Sequence, residues 1–239
     1  MRLTLEQMRN VNWKLISLFL VLHSFTFGQV NAIKFKILPY YSAYQRTIND
    51  TSFQLNAASD YKVDVLKFYI SNVRFFLKDS LVYQEQNSYH LCDAAIPNSN
   101  RFLMRKSEAI SYDKFQFDVG IDSSMNVSGV MGGALDPTNG MYWTWQSGYI
   151  NFKLEGRCYS CDTRNHEFQF HLGGYSSPFK SLQTVSFNVK NARDLAVIFD
   201  ISQLLKNIDL AKQNHIMSPS AEAVAFSKLV AQSFKCIEQ

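Results

Sequence analysis

Hydrophobic and polar residues alternate along most of the chain, which is the pattern of strands that bury one face. Eight segments alternate in this way or are rich in β-branched and aromatic residues, and clusters of Asn, Asp, Ser, Gly and Pro separate them. They are residues 33–38, 63–77, 89–92, 114–119, 142–154, 167–172, 182–189 and 195–199. Helical segments of 10–15 residues are missing between them, so the pattern predicts an all-β fold, an antiparallel β-sandwich of about eight strands. Residues 63–77 are long enough for a bent or bulged strand.

Helical patterns are confined to the C-terminal part of the chain. Residues 201–208 predict a short helix. Ser218 followed by Pro219 predicts an N-cap and the first position of a C-terminal helix that runs to about Phe234. We expect this helix to pack against the sandwich, because its apolar residues fall roughly on one face. They are Val224, Phe226, Leu229, Val230 and Phe234.

The N-terminal pattern is that of an export signal. Three basic residues lead into an apolar run at residues 15–27, and Thr26 and Gly28 are small residues before a cleavage point. The run is about 13 residues long, whereas a membrane span takes about 18. We therefore expect residues 1–28 to be a signal peptide and residues 29–239 to be one periplasmic or secreted domain without stable membrane insertion.

Composition and charge narrow the classes of function. The chain has 239 residues and is 46% hydrophobic, which suffices for one well-buried domain. The formal net charge is +4, and the charged residues of the predicted signal account for +2 of it. This balance is not typical of a nucleic-acid-binding protein. The sequence also has no P-loop, Gly-x-Ser-x-Gly or His-Glu-x-x-His pattern, so it favours a binding protein over an enzyme.

Four cysteines remain after the predicted signal, and an exported protein meets an oxidising environment. Cys158 and Cys161 flank two polar residues, which is compatible with a tight loop disulfide or with a redox or metal pair. The redox form normally opens a helix in a βαβ unit, a context that is missing here. Cys92 and Cys236 can pair as well and would tie the C-terminal helix to the body of the domain.

The most aromatic stretch is MYWTWQSGYINFKLEG at residues 141–156. Trp143 and Trp145 lie two positions apart, so they project from one face if residues 142–154 are a continuous strand. Paired aromatic residues on one strand face usually fill a core.

Five segments follow one another through nearly the whole of the predicted mature chain. They are VLKFYISNVRFFL (65–77), YHLCDA (89–94), FQFDVGID (115–122), LDPTNGMYWTWQSGYINFKLEG (135–156) and FQFHLGG (168–174). Together they resemble the MbnP-like family of exported copper-binding proteins. The resemblance implies a copper ion and a di-haem partner of the MauG and cytochrome c peroxidase type. In that family the partner can oxidise a tryptophan to kynurenine, and the modified residue is associated with copper binding. An oxidation target must lie near the surface, so the resemblance implies one buried and one accessible ring at Trp143 and Trp145, without a preference for which.

Four histidines remain after the predicted signal as candidate copper ligands, since copper favours imidazole and, as Cu(I), soft sulfur. His171 is the first candidate because it ends an alternating strand inside a segment that resembles the family. His215 stands near Met217, and this pair would supply nitrogen and sulfur. His90 and His166 are weaker candidates, at a strand start and in a polar loop. For each histidine the alternative is an ordinary hydrogen-bonding or solvated residue.

Oxygen-bearing side chains near glycine turns raise a second metal hypothesis. Such residues can hold calcium, although their spacing matches no EF-hand, and turn chemistry explains them equally well. They are Asp118, Asp122, Asn126, Asp136 and Asn139. Two other functions remain open: a metal-free module that binds carbohydrate or protein through exposed aromatic residues, and a redox enzyme that uses Cys158 and Cys161.

Overall fold

The structure is a computed structural model that describes residues 31–40, 61–96, 98–106 and 110–237. The predicted signal peptide at residues 1–28 lies outside the described residues. Within these ranges no helix is both long enough and apolar enough to cross a membrane.

Thirteen strands and three α-helices lie within the described residues. The strands are β1 Asn31–Tyr40, β2 Tyr61–Leu77, β3 Ser80–Gln84, β4 Tyr89–Asp93, β5 Arg101–Lys106, β6 Lys114–Val119, β7 Tyr142–Trp143, β8 Gly148–Cys158, β9 Glu167–Gly173, β10 Gln183–Asn188, β11 Asp194–Asp200, β12 His215–Ile216 and β13 Phe234–Ile237. The helices are α1 Ser123–Ser128, α2 Ile201–Lys206 and α3 Ala221–Gln232.

The strands form a small sheet and a large sheet. The small sheet has the order β13-β11-β1-β5, and the large sheet has the path β10-β6-β2-β8-β9-β12, to which β3, β4 and β7 add further pairs. All strand pairs of the described residues are antiparallel except β1 with β11 and β9 with β12. The prediction of an all-β sandwich with a C-terminal helix is confirmed, and the two parallel pairs are additions to it.

The main core lies between the two sheets. The ring of Phe35 on the small sheet is 4.9 Å from that of Phe115 on the large sheet, and Phe68 and Phe199 lie 5.5 Å apart. Helix α3 closes one end of this core through Phe226. Burial of each such side chain contributes about 1.5–3 kcal/mol, so this aromatic layer contributes substantially to stability.

A second apolar cluster lies on the opposite face of the large sheet, which we call the outer face. Side chains alternate across the sheet, so Phe68 faces the main core and Tyr69 faces outward. The loop between β6 and β7 covers this cluster: Tyr69 donates a hydrogen bond to Ala134 O, and Tyr149 donates to Leu135 O.

The predicted strand over residues 142–154 is wrong at its start. It is a hairpin in which β7 and β8 pair through Tyr142 with Tyr149 and Trp143 with Gly148. Residues 144–147 form the turn, and Ser147 has a positive φ of 51°. Trp145 therefore lies in a turn and not two positions along the same strand. The turn was not predicted because the segment is rich in aromatic residues, which favour strands, and because it lacks the usual Asn-Gly or Asp-Gly pair of a hairpin turn.

The C-terminal helix begins and ends differently from the prediction. Ser220 is its N-cap, since its hydroxyl accepts a hydrogen bond from Ala223 N, and Pro219 precedes the cap. The helix ends at Gln232, and Phe234 opens β13, which pairs with β11. Short strands such as this one escape the sequence pattern because their partners are distant in sequence.

Candidate functional site

Trp143 and Trp145 contact each other although the turn separates them. Their ring centroids lie 5.7 Å apart at an angle of 46°. Trp143 is 6% exposed and belongs to the outer-face cluster, whereas Trp145 is 66% exposed. The expectation of one buried and one accessible tryptophan is confirmed, and the structure assigns the two positions.

The indole ring of Trp143 packs directly against the backbone of Gly173 on β9. A Cβ atom added at Gly173 would lie 2.4 Å from Cζ3 of the indole, so only glycine allows the ring to approach the strand this closely. Phe168, Phe170 and Leu172 point into the main core. The alternate residues of β9, which include His171 and Gly173, therefore belong to the outer face.

His171 lies two residues before Gly173, on the same face of β9. Its Nε2 is 2.6 Å from Oε1 of Glu155 on the neighbouring strand β8. Glu155 also lies 3.2 Å from Nζ of Lys153. The hydrogen bond from His171, assisted by the charge of Lys153, lowers the pKa of Glu155 to about 2 against the opposing effect of partial burial. The carboxylate is therefore ionised, and His171 donates through Nε2.

The second candidate ligand, His215, lies on β12, the strand next to the one that carries His171. Strand β12 runs parallel to β9, and His215 pairs with Gln169. Ile216 points into the main core, so His215 belongs to the outer face, and Met217 follows at the end of the strand. Strand spacing of about 4.8 Å and a rise of about 3.3 Å per residue place the Cα atoms of His215 and His171 about 8 Å apart.

This donor set suits a soft or borderline transition metal. Two imidazoles on one sheet face, with a thioether at the next position of the chain after β12, are ligands that copper accepts, and hard cations prefer oxygen. In the part of the chain that the structure describes, no three His, Cys, Asp or Glu residues cluster as a metal site. A metal held here would therefore depend on histidine together with methionine. Nδ1 of His171 has no hydrogen-bond partner among the described residues, so this nitrogen has a lone pair to give.

The structure does not bring the other two histidines to this face. His90 lies on β4, where Nε2 is 2.8 Å from Glu85 and the ring is 4.5 Å from Phe102 of the small sheet. His166 donates from Nδ1 to Cys161 O and stacks on Tyr159. Both are engaged as hydrogen-bonding residues away from His171.

No disulfide joins any of the four cysteines among the described residues, so neither predicted pair is confirmed. Cys92 lies on the large sheet and Cys236 on β13 of the small sheet. Cys158 and Cys161 share a tight turn, in which Cys161 N donates to Cys158 O over 3.1 Å. Burial and a hydrogen bond with Cys158 raise the pKa of Cys161 to about 12. A thiol with a raised pKa is ionised to a smaller extent at neutral pH than an ordinary cysteine.

The side chains considered for calcium are engaged in hydrogen bonds or an ion pair within the protein. Asp122 accepts from Met125 N as the N-cap of α1, and Asp136 accepts from Thr138 N. Asp118 is paired with Arg74 at 2.8 Å. Asn126 and Asn139 likewise donate to backbone carbonyls of the same loop. Turn and cap chemistry accounts for four of these side chains, and the ion pair with Arg74 accounts for Asp118.

Three residues of the site were missed from the sequence: Glu155, Lys153 and Gly173. The alternation of β8 places Lys153 and Glu155 opposite the core residues Phe152 and Leu154. That signal was present in the sequence. Their contact with His171 depends on the register between β8 and β9, which pairs Lys153 with His171.

Comparison with known proteins points to one family. A sequence model of the family described as MbnP matches residues 31–218. The solved structure of MbnP from Methylosinus trichosporium is similar, with a TM-score of 0.58 and 13% sequence identity, over 82% of this chain and 87% of that chain. At this identity the structural match shows a shared fold. No curated protein sequence matches the chain.

Proposed function

Because the chain belongs to the MbnP family, we propose that it is an exported protein that binds copper on the outer face of its large sheet. The observation that carries the proposal is the placement of His171 and His215 on one face of two neighbouring strands, with Met217 directly after β12 in the chain. In this proposal the two imidazoles are the principal ligands and the thioether a third, weaker one. The role of the bound metal would be acquisition, storage or delivery of copper.

We further propose that a di-haem protein of the MauG and cytochrome c peroxidase type oxidises one of the two tryptophans to kynurenine. Trp145 is the ring that a docked partner can approach, because it is exposed and lies in a turn. Trp143 is the ring beside the proposed ligands, since it lies over Gly173, two residues from His171. The ring contact between them offers a route by which an electron leaves Trp143 through Trp145.

Mass spectrometry and metal analysis test both parts of this proposal. The chain is produced with its export signal, with and without the di-haem partner, and the Trp143–Trp145 peptide is sequenced. The haem partner, supplied with peroxide or oxygen as the oxidant, would take four electrons from the indole, whose C2 carbon leaves as formate. Kynurenine therefore has one oxygen more and one carbon less than tryptophan, a gain of about 4 Da. We expect this gain only with the partner, together with bound copper.

Ligand variants test the metal site directly. We expect the His171→Ala, His215→Ala double variant to lose copper, whereas His166→Ala, a histidine that contacts Cys161 and Tyr159 instead, retains it. Equal copper affinity in the double variant and the wild type would refute this site.

A metal-free interaction module is the second candidate function. It is favoured by the exposure of Trp145 and Tyr159, which lie 66% and 55% exposed. Aromatic side chains of this kind bind carbohydrate and protein surfaces. Binding of such a partner at full strength in the presence of a chelator, with loss in Trp145→Ala, would support this function over copper binding.

A further inference from the structure

We propose that Glu155 is a positioning residue that holds the ring of His171 through Nε2 and so presents Nδ1 to the metal. This inference rests on the proposed copper function and adds to it a residue that does not touch the metal. A histidine that ligates a metal usually donates its other nitrogen to a carboxylate or carbonyl, which fixes its tautomer and orientation.

The contact between the two side chains is short and sheltered. Nε2 of His171 and Oε1 of Glu155 lie 2.6 Å apart, and His171 is only 7% exposed. Glu155 pairs in register with Gln169, so it reaches His171 diagonally across the two strands. Both residues lie within regular strands, and the backbone therefore holds the two side chains in a constant relation.

The chemistry of the carboxylate decides which nitrogen carries the hydrogen. An ionised carboxylate only accepts hydrogen bonds, so the neutral imidazole must place its hydrogen on Nε2. Nδ1 then keeps its lone pair, which is the form that a metal requires. Without Glu155, the tautomer and the χ2 angle of His171 would be set by weaker forces, since χ2 of histidine is broad.

Lys153 keeps Glu155 in this supporting role. Its Nζ lies 3.2 Å from the same Oε1 atom that accepts from His171. Two donors on one oxygen favour the ionised carboxylate and balance its charge. The Lys153 contact also disfavours a turn of Glu155 toward the metal as a direct ligand, because that turn would leave the ammonium without its partner.

Nuclear magnetic resonance of the metal-free protein tests the positioning itself. The nitrogen chemical shifts of His171 report its tautomer in the full chain. We expect the Nε2–H form in the wild type, a mixture of both tautomers in Glu155→Ala, and the Nε2–H form again in Glu155→Gln, whose amide oxygen still accepts. An unchanged tautomer in Glu155→Ala would overturn the inference.

Copper titration of the same proteins tests the consequence for the metal. We expect Glu155→Ala to weaken copper affinity by about 10–100-fold, the usual effect of removing such a support, and Glu155→Gln to weaken it less. Glu167→Ala is the matched control, because Glu167 is an exposed residue at the other end of β9 and should leave affinity unchanged. Thermal unfolding of each variant shows whether a loss of affinity is simply a loss of fold.

The two measurements separate the inference from the proposed function. A wild type that binds no copper refutes the proposed function, whatever the tautomer. A wild type that binds copper, with equal affinity in Glu155→Ala, overturns the positioning role and leaves the copper site standing. A tighter complex in Glu155→Ala would likewise count against the inference.

Discussion

The indole of Trp143 occupies the space that a side chain at position 173 would otherwise fill. A Cβ atom added at Gly173 would lie 2.4 Å from Cζ3 of Trp143 and 2.8 Å from the carbonyl oxygen of Tyr149. We therefore expect Gly173→Ala to displace the indole and to lower the free energy of unfolding by about 1–3 kcal/mol. Urea unfolding followed by tryptophan fluorescence measures both effects.

Gly132→Ala is the control for this substitution, because nothing lies within 4 Å of an added Cβ there and φ is −94°. An unchanged fluorescence spectrum and stability in Gly173→Ala would contradict the close packing of Trp143 on β9.

The two tryptophans should differ sharply in their contribution to stability. Trp143→Ala removes a buried ring and should cost about 3–5 kcal/mol, whereas Trp145→Ala removes an exposed ring and should change stability by less than about 0.5 kcal/mol. Denaturant midpoints with equal slopes give the comparison. A large cost for Trp145→Ala would contradict this assignment of one buried and one exposed ring.

Glu155 should make stability depend on pH in the acid range. Its folded-state pKa is lowered from 4.5 to about 2, so its contribution is fully present above pH 4.5 and is lost as pH falls toward 2. The side chain is 25% exposed, and we expect a contribution on the order of 2 kcal/mol. The stability difference between wild type and Glu155→Gln, measured at several pH values, should shrink across this window. A difference that stays constant with pH would refute the assignment.

Cys158 and Cys161 should join in a disulfide when the protein matures in an oxidising compartment. They stand at positions i and i+3 of a hydrogen-bonded turn, and turns of this kind bring their Cα atoms within about 7 Å. An oxidant such as a protein disulfide would accept the two electrons and two protons released. We expect the peptide of the exported protein to lack two hydrogen atoms and to resist alkylation until it is reduced. Alkylation of both thiols in unreduced, denatured protein would contradict this prediction.

The sequence predicted the strands that alternate most regularly, and it did so because one buried face leaves a local signal. Residues 114–119 match β6 at both ends, and the long segment at residues 63–77 lies within β2. Its predicted irregularity is confirmed by register shifts near Val63, Ser71 and Phe75. These features depend on neighbouring residues alone.

Only part of the candidate site could be predicted from the pattern of neighbouring residues. His171 is part of a strand pattern and was the first copper candidate. Its contact with Glu155 requires the register of β8 against β9, and its position beside His215 requires β12 to run parallel to β9. A strand of two residues is too short to show a periodic pattern, so the local sequence does not predict the pairing of β12 with β9.

The alternation of β9 has a consequence for how this protein can change during evolution. His171 and Gly173 serve the outer face, and Phe170 and Leu172 serve the main core, along one unbroken strand. Insertion or deletion of a single residue within β9 would exchange the two sets and damage both at once. Exchange of one side chain for another alters a single face. We therefore expect natural variants of this strand to differ by substitution at constant length, and changes of length to be found in connecting loops.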